Sequence, residues 1–144
     1  MLELRCAYFS VGLLACVLVG CQHAECQSGP RAPKNVAELT QEDPARVDPQ
    51  HYKTELENEH VRIVRAHYGP HEQAAMHEHL CGRVIVNLNR QHELMQAADG
   101  KSTEVDHRSG ETSWSEGRVR HSGKNLENEG FDVIMIDVKS SCPK

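Results

Sequence analysis

The sequence predicts an all-β domain, a sandwich or a barrel, that occupies residues 51–140 of a 144-residue chain. Three observations predict it: short β-like runs recur, turn residues separate them at close spacing, and no segment shows a convincing helical period. Because aromatic residues make up only 4% of the chain, we expect a core of Val, Ile, Leu and Met rather than of rings. A domain of about 90 residues is near the lower limit for independent stability, which favours a homodimer formed through a sheet edge.

Seven segments are predicted as strands because each is a short β-like run and turn signals separate many of them. The turn signals are Gly69-Pro70, Asp99-Gly100, Ser109-Gly110 and Asn128-Glu129-Gly130. In chain order the predicted strands are Val61–Ala66, Arg83–Leu88, Glu93–Ala97, Ser102–His107, Thr112–Ser115, Val119–Leu126 and Phe131–Val138. The last of these is the most apolar and is predicted to be a central strand.

Residues 1–20 are predicted to be a signal peptide and not part of the fold. Arg5 supplies a weak positive start, and residues 7–20 form an apolar run without a charge. About 14 residues suit the core of a signal peptide, whereas roughly 20 are needed to span a bilayer. The run ends in Leu18-Val19-Gly20-Cys21, which resembles the lipobox of bacterial lipoproteins. The resemblance implies lipidation of Cys21 and a cell-envelope lipoprotein that touches the membrane only through its lipid anchor. The alternative is an ordinary signal peptide, cut nearby to release a secreted or periplasmic protein.

Residues 21–50 are predicted to be a flexible tether. Prolines at positions 30, 33, 44 and 49 interrupt this segment, and it lacks apolar periodicity, although residues 35–39 could form a brief helical turn.

Once the signal peptide is removed and Cys21 is lipidated, Cys26, Cys81 and Cys142 remain, which is an odd number. One disulfide and one free thiol fit this count, and the sequence leaves the pairing open.

The charge balance argues against nucleic acid as a partner. Lys and Arg total 16 against 21 Asp and Glu, a formal net charge of −5, whereas phosphate contacts need a basic surface. Several enzyme motifs are also missing from the sequence, namely a Gly-rich phosphate loop after a strand, a G-x-S-x-G nucleophile elbow and a C-x-x-C pair.

His77-Glu78-His79 is the first candidate for a chemical site. On a strand, alternate side chains share a face, so both imidazoles can point into one cavity. Neutral imidazole is the commonest nitrogen ligand of divalent transition metals. With ten histidines in the chain, however, about one such pair is expected by chance. Two histidines that merely pack or are solvated are therefore the simpler interpretation of the pair taken alone.

Residues 110–125 add a second pattern. Gly110, His121 and Asn125 stand at the spacings of the second motif of the cupin family, G-x5-P-x-G-x2-H-x3-N. His77 and His79 match the paired histidines of the family's first motif, G-x5-H-x-H-x3,4-E-x6-G. Residues 51–138 thus resemble a small cupin, and the resemblance implies a double-stranded β-helix, the cupin jelly-roll barrel. It also implies that His77, His79 and His121 are the ligands of a divalent transition metal (Fe, Mn, Ni or Zn).

The chain departs from the family pattern at several positions. Arg83 stands where the family has its metal-binding glutamate. The other departures are His71 and Arg90 in place of the first motif's flanking glycines, Glu116 in place of the proline, and Arg118 at the second motif's glycine position, with Gly117 one residue earlier. These departures leave the fold prediction in place and bear on whether the site holds a metal.

Three interpretations of Arg83 remain open. Three histidines can suffice for a metal, with solvent or substrate in the open positions. Such a site would resemble that of some oxygen-activating cupin enzymes. The guanidinium can instead bind a carboxylate or phosphate of a ligand beside the metal. Alternatively, the barrel has lost its metal, and the histidines serve polar binding or packing. A guanidinium close to a dication is electrostatically costly, which favours the last interpretation unless Arg83 turns outward.

Other residues have a functional and a simpler interpretation. Cys81 lies two residues after His79, where an unbroken strand would direct its thiol to the same side as a zinc or iron ligand. A small buried hydrophobe beyond a strand break at Gly82 is the simpler alternative. His71 is either an extra ligand or a loop histidine, and Trp114 either lines the cavity or packs in the core or at the rim. The remaining histidines of the domain are interpreted as surface residues, namely His51, His60, His67, His92 and His107.

Three functions stay open from the sequence. The first is an exported, lipid-anchored small cupin with a metal centre that polarises a small-molecule substrate or activates oxygen, as a metal-dependent oxidoreductase would. The second is a metal-free module that binds a sugar or a small acid in the same barrel. The third is a structural or interaction lipoprotein that uses the barrel as a scaffold. No catalytic base can be named, and whether the protein is an enzyme stays open.

Overall fold

The structure, a computed structural model, describes residues 41–144, in which nine strands build two antiparallel sheets. The elements are α1 Pro44–Val47, β1 Tyr52–Glu57, β2 Val61–Tyr68, β3 His77–His79, β4 Arg83–Asn87, β5 Gln91–Ala97, β6 Ser102–His107, β7 Thr112–Ser115, β8 Val119–Asn125, β9 Phe131–Val138 and a final 3₁₀ turn, Lys139–Ser141. The predicted signal peptide, Cys21, Cys26 and the helical turn at residues 35–39 lie outside the described residues. Within residues 41–144, neither helix has the length and apolar composition that crossing a membrane requires.

The two sheets have the strand orders β1-β2-β9-β4-β7 and β3-β8-β5-β6. From β2 onward the chain passes repeatedly from one sheet to the other, so strands distant in sequence become neighbours, as β2 and β9 do. This winding is a double-stranded β-helix, and it confirms the predicted fold class. All seven predicted strands are present, and β9 is flanked by β2 and β4 as a central strand should be.

Strand β1 is absent from the prediction. Its sequence, YKTELE, has a buried residue only at its first position, Tyr52. A strand at the edge of a sheet has few apolar neighbours to pack against, so its residues show little of the alternation that marks a half-buried strand. Pairing with β2 therefore defines β1 more than its own composition does.

The core lies on the inner face of the first sheet. Val64, Ala66 and Tyr68 of β2 stand opposite Met135, Val133 and Phe131 of β9, and all six are buried. The expectation of a core without rings is wrong, because the rings of Tyr68 and Phe131 stack inside it at a centroid distance of 4.8 Å and Tyr52 is 3% exposed. Few rings are present, but Tyr52, Tyr68 and Phe131 are all buried in this core, where each contributes a large apolar surface.

Residues 43–51 overlap the end of the predicted tether and nevertheless pack on the barrel. Asp43 caps α1 through the amide of Ala45, and its other oxygen accepts a hydrogen bond from Arg62 at 2.7 Å. The side chain of Asp48 binds the ring of His51 at 2.8 Å. The interpretation of His51 as a surface residue is therefore wrong, since it is 6% exposed. These polar contacts fasten a segment whose composition alone indicates a tether.

A disulfide joins Cys81 to Cys142. It ties the loop between β3 and β4 to the residues that follow β9. The interpretation of Cys81 as a metal ligand is excluded, because a disulfide sulfur is not a thiolate. This bond also answers, for the cysteines that the structure describes, the pairing that the sequence leaves open.

Candidate functional site

Strands β3 and β8 place three imidazoles side by side inside the barrel. His77 and His79 are 0% and 4% exposed, whereas Glu78 between them points outward and is half-buried, because side chains alternate along a strand. His121 of β8 stands directly opposite His77 in the antiparallel register. The structure thus brings together the three histidines that the motif resemblance selects.

The geometry of this histidine triad is tight. The Nε2 atoms of His77 and His79 are 3.0 Å apart, and one ligand atom from each of the three histidines lies within 4.8 Å of the others. The ring centroids are 4.7 Å apart for His77 and His121 and 5.2 Å apart for His79 and His121. Three nitrogen donors therefore face one small volume.

The hydrogen bonds of His77 determine which of its nitrogens is free. Its Nδ1 lies 2.7 Å from the carbonyl oxygen of Ala75 and must donate to it, because a carbonyl only accepts. In the neutral ring, Nε2 then carries a lone pair. That lone pair faces His79 and the hydroxyl of Tyr52, which lies 3.2 Å away. A backbone carbonyl that accepts from one ring nitrogen, with a lone pair on the other, is the arrangement typical of metal-binding histidines.

Burial keeps the triad uncharged at neutral pH. It lowers the pKa of His77 and lowers that of His79 well below the usual value. For His121, burial and then the neighbouring charges of His77 and Arg83 lower the pKa to about 3. Neutral imidazoles keep the lone pairs that a metal ion needs, and neither ring nitrogen of His121 has a hydrogen-bond partner among the described residues.

Arg83 enters the same space from β4. It is 3% exposed and stands opposite Asp137, on the same buried side of β9 as Met135, so it faces inward rather than outward. Its charge lowers the pKa values of all three histidines. Burial lowers the pKa of its guanidinium to about 10, which leaves the group protonated at neutral pH. Its Nε and Nη1 atoms are buried without a hydrogen-bond partner in the described part of the chain. An unpartnered buried cation is costly unless an anion joins it.

The acid opposite Arg83 in the sheet does not bind its guanidinium. Asp137 stands opposite Arg83 in the sheet, but its Oδ2 accepts hydrogen bonds from Nε and Nη2 of Arg62 at 3.0 and 2.8 Å. Arg62 is also bound to Asp43. Two carboxylates thus engage one arginine, and the guanidinium of Arg83 is compensated by charge at a distance but not by direct contact.

A second group of buried polar residues lies beyond the triad, and no sequence motif indicates it. The hydroxyl of Tyr52 contacts both His77 and the hydroxyl of Tyr68. Glu93 on β5 is 6% exposed, and burial raises its pKa to about 7. A Cβ on Gly123 would lie 2.5 Å from Oε2 of Glu93 and 3.3 Å from the hydroxyl oxygen of Tyr68. Only the pairing of β5 with β8 reveals that these residues share the barrel interior.

The other candidates lie away from the triad. His71 is exposed and contacts Asn128, so it is a loop histidine. Trp114 is 50% exposed and lies on the outer side of the sheet, opposite Val84. It therefore does not line the barrel interior. The indole ring packs over Gly82, where an added Cβ would lie 2.5 Å from the ring.

No protein-family model and no curated protein matches this chain. Among solved structures, the chain is similar to a cupin domain from Bordetella pertussis Tohama I, with a TM-score of 0.57 and 20% identity over 60% of this chain and 90% of that one. A conserved protein with a double-stranded β-helix domain from Klebsiella pneumoniae gives a TM-score of 0.51 and 17% identity, over 64% of this chain and 78% of that one. An RmlC-like cupin from Methanocaldococcus jannaschii gives a TM-score of 0.50 and 13% identity, over 60% of this chain and 77% of that one. These similarities show that the fold is of the cupin type.

Proposed function

We propose that the barrel binds a small molecule bearing an acidic group, beside a divalent transition metal held by His77, His79 and His121. One observation carries the proposal: three uncharged imidazoles share the barrel interior with a buried guanidinium whose charge acts on all three and whose Nε and Nη1 have no hydrogen-bond partner in the described residues. A carboxylate would complete the hydrogen bonds of Arg83 and offset its charge, since a guanidinium suits planar anions.

The donor set fits a metal ion. Three neutral imidazoles are suitable ligands for zinc, iron, nickel or manganese, and the free nitrogens of His121 have no other role in the described structure. A bound metal would act as a Lewis acid on an oxygen of the ligand. The chain's own residues would orient the ligand, with Arg83 binding its acidic group and with the buried walls of the barrel excluding water.

Metal retention tests the first half of the proposal. We expect the chain, reconstituted with Zn, Mn, Fe or Ni salts and then dialysed, to hold about one metal ion per chain by elemental analysis. A His77→Ala, His79→Ala double variant should lose it, because two of the three ligands are gone. The matched control is the His60→Ala, His67→Ala double variant, which removes two exposed histidines and should retain the metal. A wild-type chain that holds none of these metals would contradict this half.

An Arg83 series tests the second half. Calorimetric titration with acetate and oxalate should show binding by the wild type and by Arg83→Lys, which keeps the charge, with weaker binding by the latter. Arg83→Glu should abolish carboxylate binding and raise metal retention, because it restores the carboxylate that the cupin motif has at this position. Equal carboxylate binding by wild type and Arg83→Glu would show that Arg83 is not the anion anchor.

A metal-free binding module is the second candidate, and the charge of Arg83 favours it. Where the cupin motif has a negative ligand, this chain has a positive group 3% exposed, which raises the cost of adding a dication. In that case acetate and oxalate bind without added metal, and a chelator leaves their affinity unchanged. Under the metal-dependent alternative, the chelator lowers it.

We also propose that the protein is exported and anchored through Cys21. The disulfide between Cys81 and Cys142 supports an exported location, because disulfides persist in oxidising compartments. The chain purified from a bacterial host should carry the added mass of acyl chains, and Cys21→Ser should lack it and leave the membrane fraction. A wild-type chain that lacks the added mass of acyl chains would contradict the proposed lipid anchor.

A further inference from the structure

The outer face of the first sheet, which points away from the triad, is apolar across all five strands. In the strand register, Leu56 stands opposite Ile63, Ile63 and Val84 both stand opposite Ile136, and Trp114 stands opposite Val84. We call these five residues the outer apolar row. With strands about 4.8 Å apart, the row is roughly 19 Å long.

The row lies on the side of the sheet that has no second layer among the described residues. On β9, Val133 and Met135 are buried in the core, while Ile134 and Ile136 between them point the other way. A register shift between Thr54 and Leu56 brings Leu56 opposite Ile63 on this outer side. An antiparallel sheet with one face in water normally alternates apolar and polar residues, and β9 does not.

The outer apolar row is part of a wider apolar patch. Ile134 and Val86 stand opposite each other on one side of it, and Val61 and Val138 on the other side. At its two ends, Leu56 and Trp114 are 46% and 50% exposed. A contiguous apolar surface of this kind marks an interaction site more often than a scattered leucine does.

We propose that the outer apolar row is the interface with a second copy of this chain, packed face to face about a twofold axis. In such an isologous contact, each patch meets its own copy, so the Leu56 end of one chain would meet the Trp114 end of the other. The charges at the border suit this: Arg65 is paired with Glu55, and Lys139 with Glu57. In each pair a positive and a negative side chain of the same chain neutralise each other, so two identical faces carry no unpaired like charges there that would repel.

The chain's own preceding segment is a poorer occupant. Glu42, at the start of the described residues, is bound through its side chain to Arg120 of β8 and through its backbone carbonyl to the amide of Glu78 of β3. Both strands belong to the second sheet, whose outer face is on the opposite side of the barrel from the row. A second copy can approach the row without passing around the barrel.

Charge substitutions in the row test the proposal. The full chain, purified from the expressing cells and kept in detergent where it stays with membranes, should have the protein mass of a dimer by light scattering. Leu56→Lys and Ile136→Lys should each raise the dimer dissociation constant at least tenfold, because a lysine must be desolvated in the contact. Leu56 is exposed, so its substitution leaves the fold intact even if Ile136→Lys does not. The matched control is Val47→Lys on α1, which changes an exposed apolar residue (36% exposed) outside the row and should remain dimeric.

Trp114, the only tryptophan, gives an independent reading of the interface. Its emission should shift to the blue and resist acrylamide quenching as the concentration rises through the dimer range, and Leu56→Lys should reverse both effects. A wild-type chain that is monomeric overturns the proposal. So does a dimer that both lysine variants leave unchanged, and so does a blue-shifted Trp114 in a chain of monomer mass, which would mean another occupant.

Discussion

At the scale of single residues, two positions hold a backbone conformation that side chains seldom adopt. His71 has φ 58° and Arg118 has φ 63°, both in the left-handed region that favours glycine. These are two of the positions at which the cupin motifs have glycine. The fold thus imposes the same backbone here although the glycines are gone, and the chain bears the strain.

Replacing Arg118 with glycine should therefore stabilise the protein. Relief of the left-handed conformation is worth about 1–2 kcal/mol, and the added freedom of glycine in the unfolded chain removes part of it, so we expect a gain of about 1 kcal/mol in the free energy of unfolding by urea titration. The control is Arg108→Gly, where φ is not positive and the same substitution should cost stability. A less stable Arg118→Gly variant would contradict this account.

Glu93 should make stability depend on pH. Its pKa is raised from 4.5 to about 7 by burial, so between these values the folded chain holds a proton that the unfolded chain has released. Its contribution is fully present below pH 4.5 and is lost as the pH rises through 7. Glu93→Gln should flatten this part of the stability profile and be the more stable form at pH 8, by up to about 3 kcal/mol.

The measurement for Glu93 is the free energy of unfolding from urea titrations at several pH values between 4 and 8. Glu104→Gln on the neighbouring strand is the control, because that side chain is 67% exposed and should leave the profile unchanged. If Glu93→Gln and wild type have parallel profiles, Glu93 is already ionised in the folded chain.

At the scale of elements, the disulfide holds the short loop between β3 and β4, which His79 and Arg83 flank at the ends of the two strands. It closes a loop of 61 residues in sequence separation, and the loss of that closure costs about 4 kcal/mol in the loop-entropy account. We expect the Cys81→Ser, Cys142→Ser double variant to unfold at correspondingly lower urea concentration. A reducing agent should lower the stability of wild type to that of the variant and leave the variant unchanged. If the free energy of unfolding of the wild type is the same with and without reductant, the disulfide does not contribute to stability.

Helix α1 shows how a short element without apolar periodicity becomes part of a domain. The Asp43 side chain is both its N-cap and a partner of Arg62, and Asp43 and Arg62 are 4% and 6% exposed. Asp43→Ala leaves the charge of Arg62 less compensated and removes the cap, which should cost about 3 kcal/mol. Asp99→Ala, at an exposed hairpin, is the control and should cost little. Urea denaturation compares the two, and equal losses would show that α1 is not fastened by Asp43.

At the scale of the whole molecule, two faces of the first sheet do different work. The inner face carries the core and Arg83, and the outer face carries the apolar row proposed as the contact with a second copy. Strand β9 contributes to both faces through its alternating residues. This double use explains why six of its eight residues, on both faces, are apolar, a pattern that the sequence alone indicates only as a central strand.

The sequence by itself determined the elements whose pattern is local. Short β-like runs and turn signals identify β2 and β4–β9, and motif spacing selects His77, His79 and His121, because these signals can be read directly along the chain. Tertiary structure alone decided the rest. The inward direction of Arg83, the burial of Glu93 and His51, the pairing of Cys81 with Cys142 and the packing of α1 all depend on contacts between residues far apart in sequence. Such contacts exist only once the two sheets have closed on each other.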